Sequence, residues 1–484
     1  MSMSSTLSSA LSGLTVSSRQ AELVSSNIAN ATTEGYARRE LQITARSSGS
    51  GQGVEIAGTQ RITNAALTGD RRIAQAGAAS SDVRADFLAK VEAALGEPEE
   101  DGSLTARIAA FDAALIEAAS RPDADSRLAA VVGTASTLVR TLNDATETVQ
   151  EARSRADSTI SQQVTRLNDT LRGLADMNRQ IQRLTALDRD ASALMDKRQQ
   201  MIDGISDLVP LREVDRGQGQ IALYTTGGAV LLDGGRPATV GFAAAGLVTP
   251  EMTLASGALS GLTVNGKLVG TGTDGLMAGG AIAAQFALRD SIAPEIQAGL
   301  DAVARDLIDR FAPPGPDTTL AVGDPGLFTD GGAAFDPADE VGLAGRLNVN
   351  ALVDPDRGGA LFRVRDGLGA ASPGAAGSTT LLVALQDALT EGRLAASGGV
   401  TPGLRSHSNF AGEIVSRVAQ ARLGADSEAS YTTARADALT VEELEGGVDT
   451  DLELQDLLVI EKAYAANARV IQTVGNLIDI LLGI

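Results

Sequence analysis

Apolar residues recur at helical spacing at both ends of the chain. Met3, Leu7, Ala10, Leu14, Ser17, Ala21, Val24 and Ile28 follow one another at alternating steps of four and three. They line one face of a helix with a heptad-like seam. Towards the other end, Ile460, Ala463, Asn467, Val470, Val474, Leu477 and Leu481 step in the same way. A second seam lies beside that one, formed by Tyr464, Ala468, Ile471, Gly475, Ile478 and Leu482. Two adjacent seams give a face broader than a two-stranded coiled coil needs, so this helix requires partners on more than one side. The apolar pattern runs to Ile484 without a polar cap. Each end helix alone would be marginal in water. The plain expectation is that the two pack on each other within a monomer; the sharper one, adopted here, is that neighbouring subunits complete their burial.

The interior changes character twice. Asp101-Gly102-Ser103 supplies a helix start, and Arg121-Pro122-Asp123 ends that helix after Ser120. A second run begins near Asp125. Leu138, Leu142, Ala145, Val149, Ala152 and Ala156 keep heptad spacing there, with a shift at Ile160 and Val164 before Leu167, Leu171, Leu174, Ile181 and Leu184. Gly173 and the stretch 187–190 are candidate interruptions. Pro210 closes the helical region. Short apolar runs follow at 221–225, 229–232 and 262–264, with Asp233-Gly234 and Asn265-Gly266 as hairpin signals. Helix returns over about 281–311 and stops at Pro313-Pro314. A Gly- and Pro-rich stretch occupies 313–375, and helices are expected over about 376–395 and 407–440. The fold class is mainly α with an inserted β domain, an α+β, multidomain chain. Its segments are 1–60, 61–209, a β-rich insertion at 210–281, a helix at 282–312, mixed loops and strands at 313–375, a helical return at 376–440 and a terminal helix at 441–484.

Composition narrows the chemistry. The 484 residues are 43% hydrophobic but only 3% aromatic, with no Trp and no Cys, so the cores must be filled by Ala, Leu, Val and Ile. Ala favours helix and lets helices approach closely. A formal charge of −21 repels phosphate, which argues against nucleic acid and anionic membrane as partners. The uncharged run 368–385 contains Pro373 and several Gly and makes no membrane span. Ten Ser in the first 26 residues, without a charged start and apolar core, make no cleaved signal peptide, so export would need another route. Without Cys there are no disulfides or thiolates. The single His, His407, is expected in a surface loop and makes no His-rich metal site. Gly270-Thr271-Gly272-Thr273-Asp274-Gly275 spells a dinucleotide fingerprint, but it follows a hairpin signal and does not open a helix, so it reads as a turn. Carboxylates cluster at Glu97, Glu99, Glu100 and Asp101, and again at Asp449, Asp451, Glu453 and Asp456. The first group reads as solvated. The second suits a helix N-terminus, with a cation site as its weaker reading. No catalytic, cofactor-binding or metal residues are expected.

Two terminal motifs carry a resemblance. Near the start stands Ala10-Leu11-Ser12-Gly13-Leu14, then Ser26, Asn27, Ile28, Ala29, Asn30, Ala31-Thr32-Thr33-Glu34, Gly35 and Tyr36. The helix should end at 27–30, Gly35 should take a positive φ, and Tyr36 should lay its ring back on the helix. Near the other end, 447–453 precedes Ala463-Tyr464-Ala465-Ala466-Asn467-Ala468-Arg469-Val470-Ile471-Gln472-Thr473. Both motifs resemble those of flagellar axial proteins. The helical interior, Ala118-Ala119-Ser120-Arg121-Pro122 and Leu194-Met195-Asp196-Lys197-Arg198 single out the flagellar hook-associated protein 1 family. Glu34 departs from the family's usual Pro.

The resemblance implies a secreted, non-enzymatic subunit at the hook–filament junction of the bacterial flagellum, with a hook or rod structural protein as the alternative. It implies an inner axial core built from 1–60 and 441–484, a helical middle domain and an outward β insertion. Leu7, Leu14, Val24, Ile28, Tyr464, Asn467, Ile471, Ile478 and Leu482 are the expected subunit-assembly seam, with Asn467 fixing register by hydrogen bonding. Expected partners are further copies of the chain, the hook protein, the second junction protein and an export chaperone at the C-terminal helix, reached through type III export. Both ends are expected to be disordered in isolation and to fold on assembly. The segment 441–484 carries nine acidic and two basic residues, whereas 1–60 is balanced, so net charge gives no drive for pairing the ends.

Overall fold

The computed structural model describes residues 3–33, 35–46, 53–97 and 100–483. Glu34, Glu99 and Ile484, which figure in the sequence reading, lie outside these. The chain opens with α1 (Met3–Ala29), followed by an antiparallel ribbon of β1 (Arg38–Ala45) and β2 (Val54–Ile62) and a 31-residue helix α2 (Ala65–Leu95). Sequence periodicity had singled out neither the ribbon nor α2.

The two helix starts and the proline stop occur where the sequence placed them. Ser103 caps α3 (Leu104–Ser120) by accepting from the Ala106 N–H at 3.2 Å. Past Arg121-Pro122, α4 (Asp125–Ala186) runs 62 residues, roughly 90 Å at ~1.5 Å per residue. Gly173 does not interrupt it: a Cβ there would lie 2.6 Å from Met201 Cε, so the glycine admits the side chain of α5 (Ser192–Asp203). The break comes at Asp188, in the left-handed region at φ 50°, where the Arg189 N–H bonds back to the Leu184 carbonyl.

A four-stranded antiparallel meander follows, β3 (Leu211–Gly217), β4 (Gln220–Thr225), β5 (Val230–Asp233) and β6 (Arg236–Pro237). Beside it lies a three-stranded sheet of β7 (Val240–Gly241), β8 (Thr263–Val264) and β9 (Lys267–Leu268). Asn265 and Gly266, at φ 50° and 77°, turn β8 into β9, as the right-handed strand twist favours. Gln218 and Gly219 make an equivalent turn between β3 and β4 that the sequence reading did not single out. These sheets share one core with the second half of α4. Ile221, Leu223, Leu231 and Leu232 pack with Ile160, Val164, Leu167, Leu171 and Leu174, and with Ile282 and Phe286 of α6 (Gly280–Ala287).

A π turn at 288–292 leads from α6 into α7 (Ala293–Phe311). Then come β10 (Phe328–Asp330), α8 (Leu343–Arg346), β11 (Leu347–Val349), α9 (Phe362–Asp366), α10 (Thr380–Thr390), β12 (Arg393–Leu394) and β13 (Leu404–Arg405). Strands β10 and β11 pair, as do β12 and β13. The chain finishes with α11 (His407–Glu445) and α12 (Thr450–Leu482). The first half of α4 packs with α3, α7, α10 and α11 around a second core, in which Phe111, Phe311 and Phe328 meet with ring centroids 5.2–6.1 Å apart. Helix α11 lies antiparallel to α2: Arg422 bonds Glu92 at 2.8 Å, and Glu443 reaches Arg71 near the opposite end.

His407 is not on a surface loop. It is the first residue of α11 and fully buried, its Nδ1 2.7 Å from Asp306 Oδ2, while Arg310 holds the same carboxylate at 2.7 Å. The segment 270–275 folds on itself, with the Met277 N–H on the Gly270 carbonyl at 3.0 Å, and α6 opens only at Gly280.

Candidate assembly core

Helices α1 and α12 pair antiparallel, as two contacts fix. Gly13 faces Asn467, whose Nδ2 would lie 2.7 Å from a Cβ at that glycine, and Asn27 bonds Glu453 at 3.1 Å. Small residues at Ala10, Gly13 and Ser17 let the helices approach. Val16, Val24 and Val474 are buried, and Leu14, Ile28, Asn467 and Ile471 are half-buried. Leu7, Tyr464, Ile478 and Leu482 remain exposed, at 36, 44, 37 and 80%. Asn467 makes no hydrogen bond among the described residues; it packs flat against Gly13. Of the described residues of α12, only Glu453 and Val474 are buried.

The motif that closes α1 builds a polar knot. Gly35 sits at φ 74°, with its Cα against Gln200 of α5. That turn swings Tyr36 back so that its hydroxyl donates to Asn27 Oδ1 at 2.9 Å. Asn27 Nδ2 donates to the Arg39 carbonyl at 3.0 Å as well as to Glu453, and Asn27 Oδ1 accepts the Arg39 N–H at 3.1 Å. Arg38 Nε donates to Glu453 Oε1 at 2.6 Å, which holds that guanidinium above its ordinary pKa despite partial burial. Glu453 is therefore a buried, ion-paired carboxylate in the first turn of α12. Asp449 caps α12, accepting from the N–H groups of Asp451 and Leu452. Among the described residues no group of three His, Cys, Asp or Glu is placed to hold a metal ion. Balanced net charge at the N-terminus had concealed the local Arg38–Glu453 attraction.

Of two further ionic clusters, one joins this core to the helical body and the other binds α2 to α5, β3 and α11. Asp196 of α5 receives Arg39 at 2.6 Å and Arg61 at 2.7 Å, tying both strands of the ribbon to the body. Its neighbour Arg198 donates to Asn178 Oδ1 at 2.9 Å and the Gly219 carbonyl at 2.6 Å, and burial lowers its pKa. Asp203 holds Arg71 at 2.8 Å and Arg72 at 2.7 Å, while Glu213 also bonds Arg72. Burial opposes the charge on Arg71, but Asp203 and Glu443 outweigh it and raise its pKa. Arg39, Arg61, Arg71 and Arg72 were missed in the sequence because these partners lie more than a hundred residues away.

A family model described as the flagellar hook-associated protein FlgK helical domain matches residues 88–312, and one described as the flagellar basal body rod FlgEFG protein C-terminal matches 445–484. The flagellar hook-associated protein 1 of Bacillus subtilis (strain 168) is 23% identical over 96% of this chain and 95% of its own length. Along nearly its whole length the chain is similar to the flagellar hook-associated protein 1 family. The protein of the same description from Salmonella typhimurium is 26% identical over 54% of this chain, and the match spans about half, 51%, of that relative. A solved structure of the flagellar hook junction protein FlgK from Burkholderia pseudomallei matches at 19% identity and a TM-score of 0.42, over 54% of this chain and 46% of that one. In hook-associated protein 1 terms, the first model covers α3 to α7, both sheets included, and the second covers α12.

Proposed function

We propose that this protein is a non-enzymatic structural subunit joining the flagellar hook to the filament. Copies stack around the flagellar axis as a short ring, with α1, the β1–β2 ribbon and α12 innermost and the sheets of 210–281 outward. One side of the ring meets the hook protein and the other receives the second junction protein. The subunit travels unfolded at its ends through type III export, and an export chaperone covers α12 until assembly.

One observation carries this reading. Leu452, Leu454, Leu458, Val459, Tyr464, Val470, Leu477, Ile478, Ile480, Leu481 and Leu482 of α12 are all exposed in the monomer. Apolar surface concentrated on one helix marks an interaction face, and a face on both seams fits many copies around an axis better than one partner. The match of 445–484 to a rod-protein terminus keeps a rod or hook subunit as the second reading. The helices α3, α4 and α5 over 104–203 favour the junction protein.

Truncation after Glu445 tests the proposal. It removes α12 and leaves the α2–α11 pairing whole. The expected result is a folded subunit and, by electron microscopy, hooks without filaments. Normal filaments on that strain would refute the proposal.

A further inference from the structure

The α1–α12 pair poses a problem of register. Its seam is built from small and aliphatic side chains at repeating steps, and much of α12 is uncovered. Sliding such a helix by one turn replaces Ala, Leu or Val with more of the same, so apolar packing alone discriminates weakly between registers. Against that uniform surface stands one buried carboxylate. Glu453 is 1% exposed and receives Asn27 Nδ2 at 3.1 Å and Arg38 Nε at 2.6 Å. Asn27 is itself 1% exposed and held by Tyr36 and by both backbone groups of Arg39, so its position is set by the turn and not by α12.

We infer that Glu453 is a positioning residue that selects the α1–α12 register, with the Asn27–Tyr36 turn and Arg38 as its fixed receptor. A one-turn slip in either direction carries the carboxylate away from both donors. It also lifts Asn467 from Gly13, the one position on the facing helix where the missing Cβ accommodates that amide. The pair behaves as a polar residue at a coiled-coil seam does, specifying alignment rather than adding net stability. The inference rests on the α1–α12 pair being the assembly core: a ring of many copies needs every copy to present α12 at the same height.

The chain has no cysteine, so engineered cysteines report register without interference. G13C/N467C reads the register described above, and G13C/I471C and G13C/A463C read slips of about one turn either way. In the full-length secreted monomer, mild oxidation should link 13 to 467 predominantly. With E453L added, helicity by circular dichroism should hold, because Arg38 is partly exposed and keeps Glu40 and Asp456 as ion-pair partners. The ratio of 13–467 to slipped cross-links should nevertheless fall about tenfold. E453Q, which keeps one acceptor oxygen and turns an NH2 group towards the other donor, should give a ratio between those of the natural residue and E453L. If E453L fails to fold, R38M on the same backgrounds should shift the ratio in the same direction. An unchanged 13–467 preference in E453L, or in R38M where E453L does not fold, overturns the inference. That readout is taken on the monomer, so it fails or succeeds separately from filament formation in the truncation experiment.

Discussion

Asp301, on α7, is 2% exposed, and burial pushes its carboxyl up to about 6, against hydrogen bonds from the Ala344 N–H, the Gln297 amide and the Gly342 N–H. A carboxyl raised in the fold binds its proton more tightly there than in the unfolded chain. Its contribution to stability therefore falls as pH rises from about 4 to about 6 and is constant above that. The D301N variant removes this slope. The stability of the natural chain minus that of D301N should drop across the window by on the order of 3 kcal/mol, read from urea midpoints at successive pH values. No change in that difference would contradict the assignment. Asp196 holds two guanidinium partners. D196A leaves Arg39 and Arg61 without their shared acceptor and should cost about 3 kcal/mol in ribbon protection, measured by hydrogen exchange over 38–62. G35A adds a Cβ at φ 74° and 2.7 Å from Gln200 Cγ, and should loosen the same turn. Gly35 and Tyr36 were legible in the sequence because a turn is local. The partners of Asp196, Asp301 and buried His407 were not, since nothing near them in the chain states which distant group will cover them.

At the level of elements, α4 and α12 have similar apolar periodicity and opposite fates. Leu142 of α4 is fully buried, whereas Leu481 of α12 is 61% exposed. L142A should cost 2–5 kcal/mol, roughly, in chemical unfolding, and L481A should stay within about 0.5 kcal/mol. Amide exchange over 450–482 should run at least ~100-fold faster than over 128–181, because a helix with two buried residues opens locally at little cost. Comparable protection in both would contradict the idea of an unfinished α12. Periodicity alone located both helices; Asp449 caps α12, whereas α4 starts after the break at Arg121-Pro122 without a side-chain cap. What the period could not reveal was which face would be covered by this chain. The ribbon escaped notice for a related reason: five of the eight residues of β1 are exposed, so it lacks the apolar alternation that marks a half-buried strand. Gly173 misled in the other direction, since a helix tolerates glycine where a neighbour fills the space.

In the whole molecule, α4 threads two cores, one shared with the sheets and the other with the remaining helices, so the body is continuous along that rod. The ionic cluster around Asp196 then fastens the ribbon, and with it the paired ends, to the body. Among the described residues, the outer face of α12 keeps more large apolar side chains exposed than any other helix. The central claim is that other copies cover that face. The measurement that tests it most directly is electron microscopy of cells carrying L477D/L481D, with the secreted variant recovered from the medium. Both leucines are exposed in the monomer, so the recovered subunit should match the natural one in circular dichroism and urea midpoint. The account predicts that this well-folded subunit leaves hooks bare of filaments. Filaments of normal number and length on those hooks would contradict it.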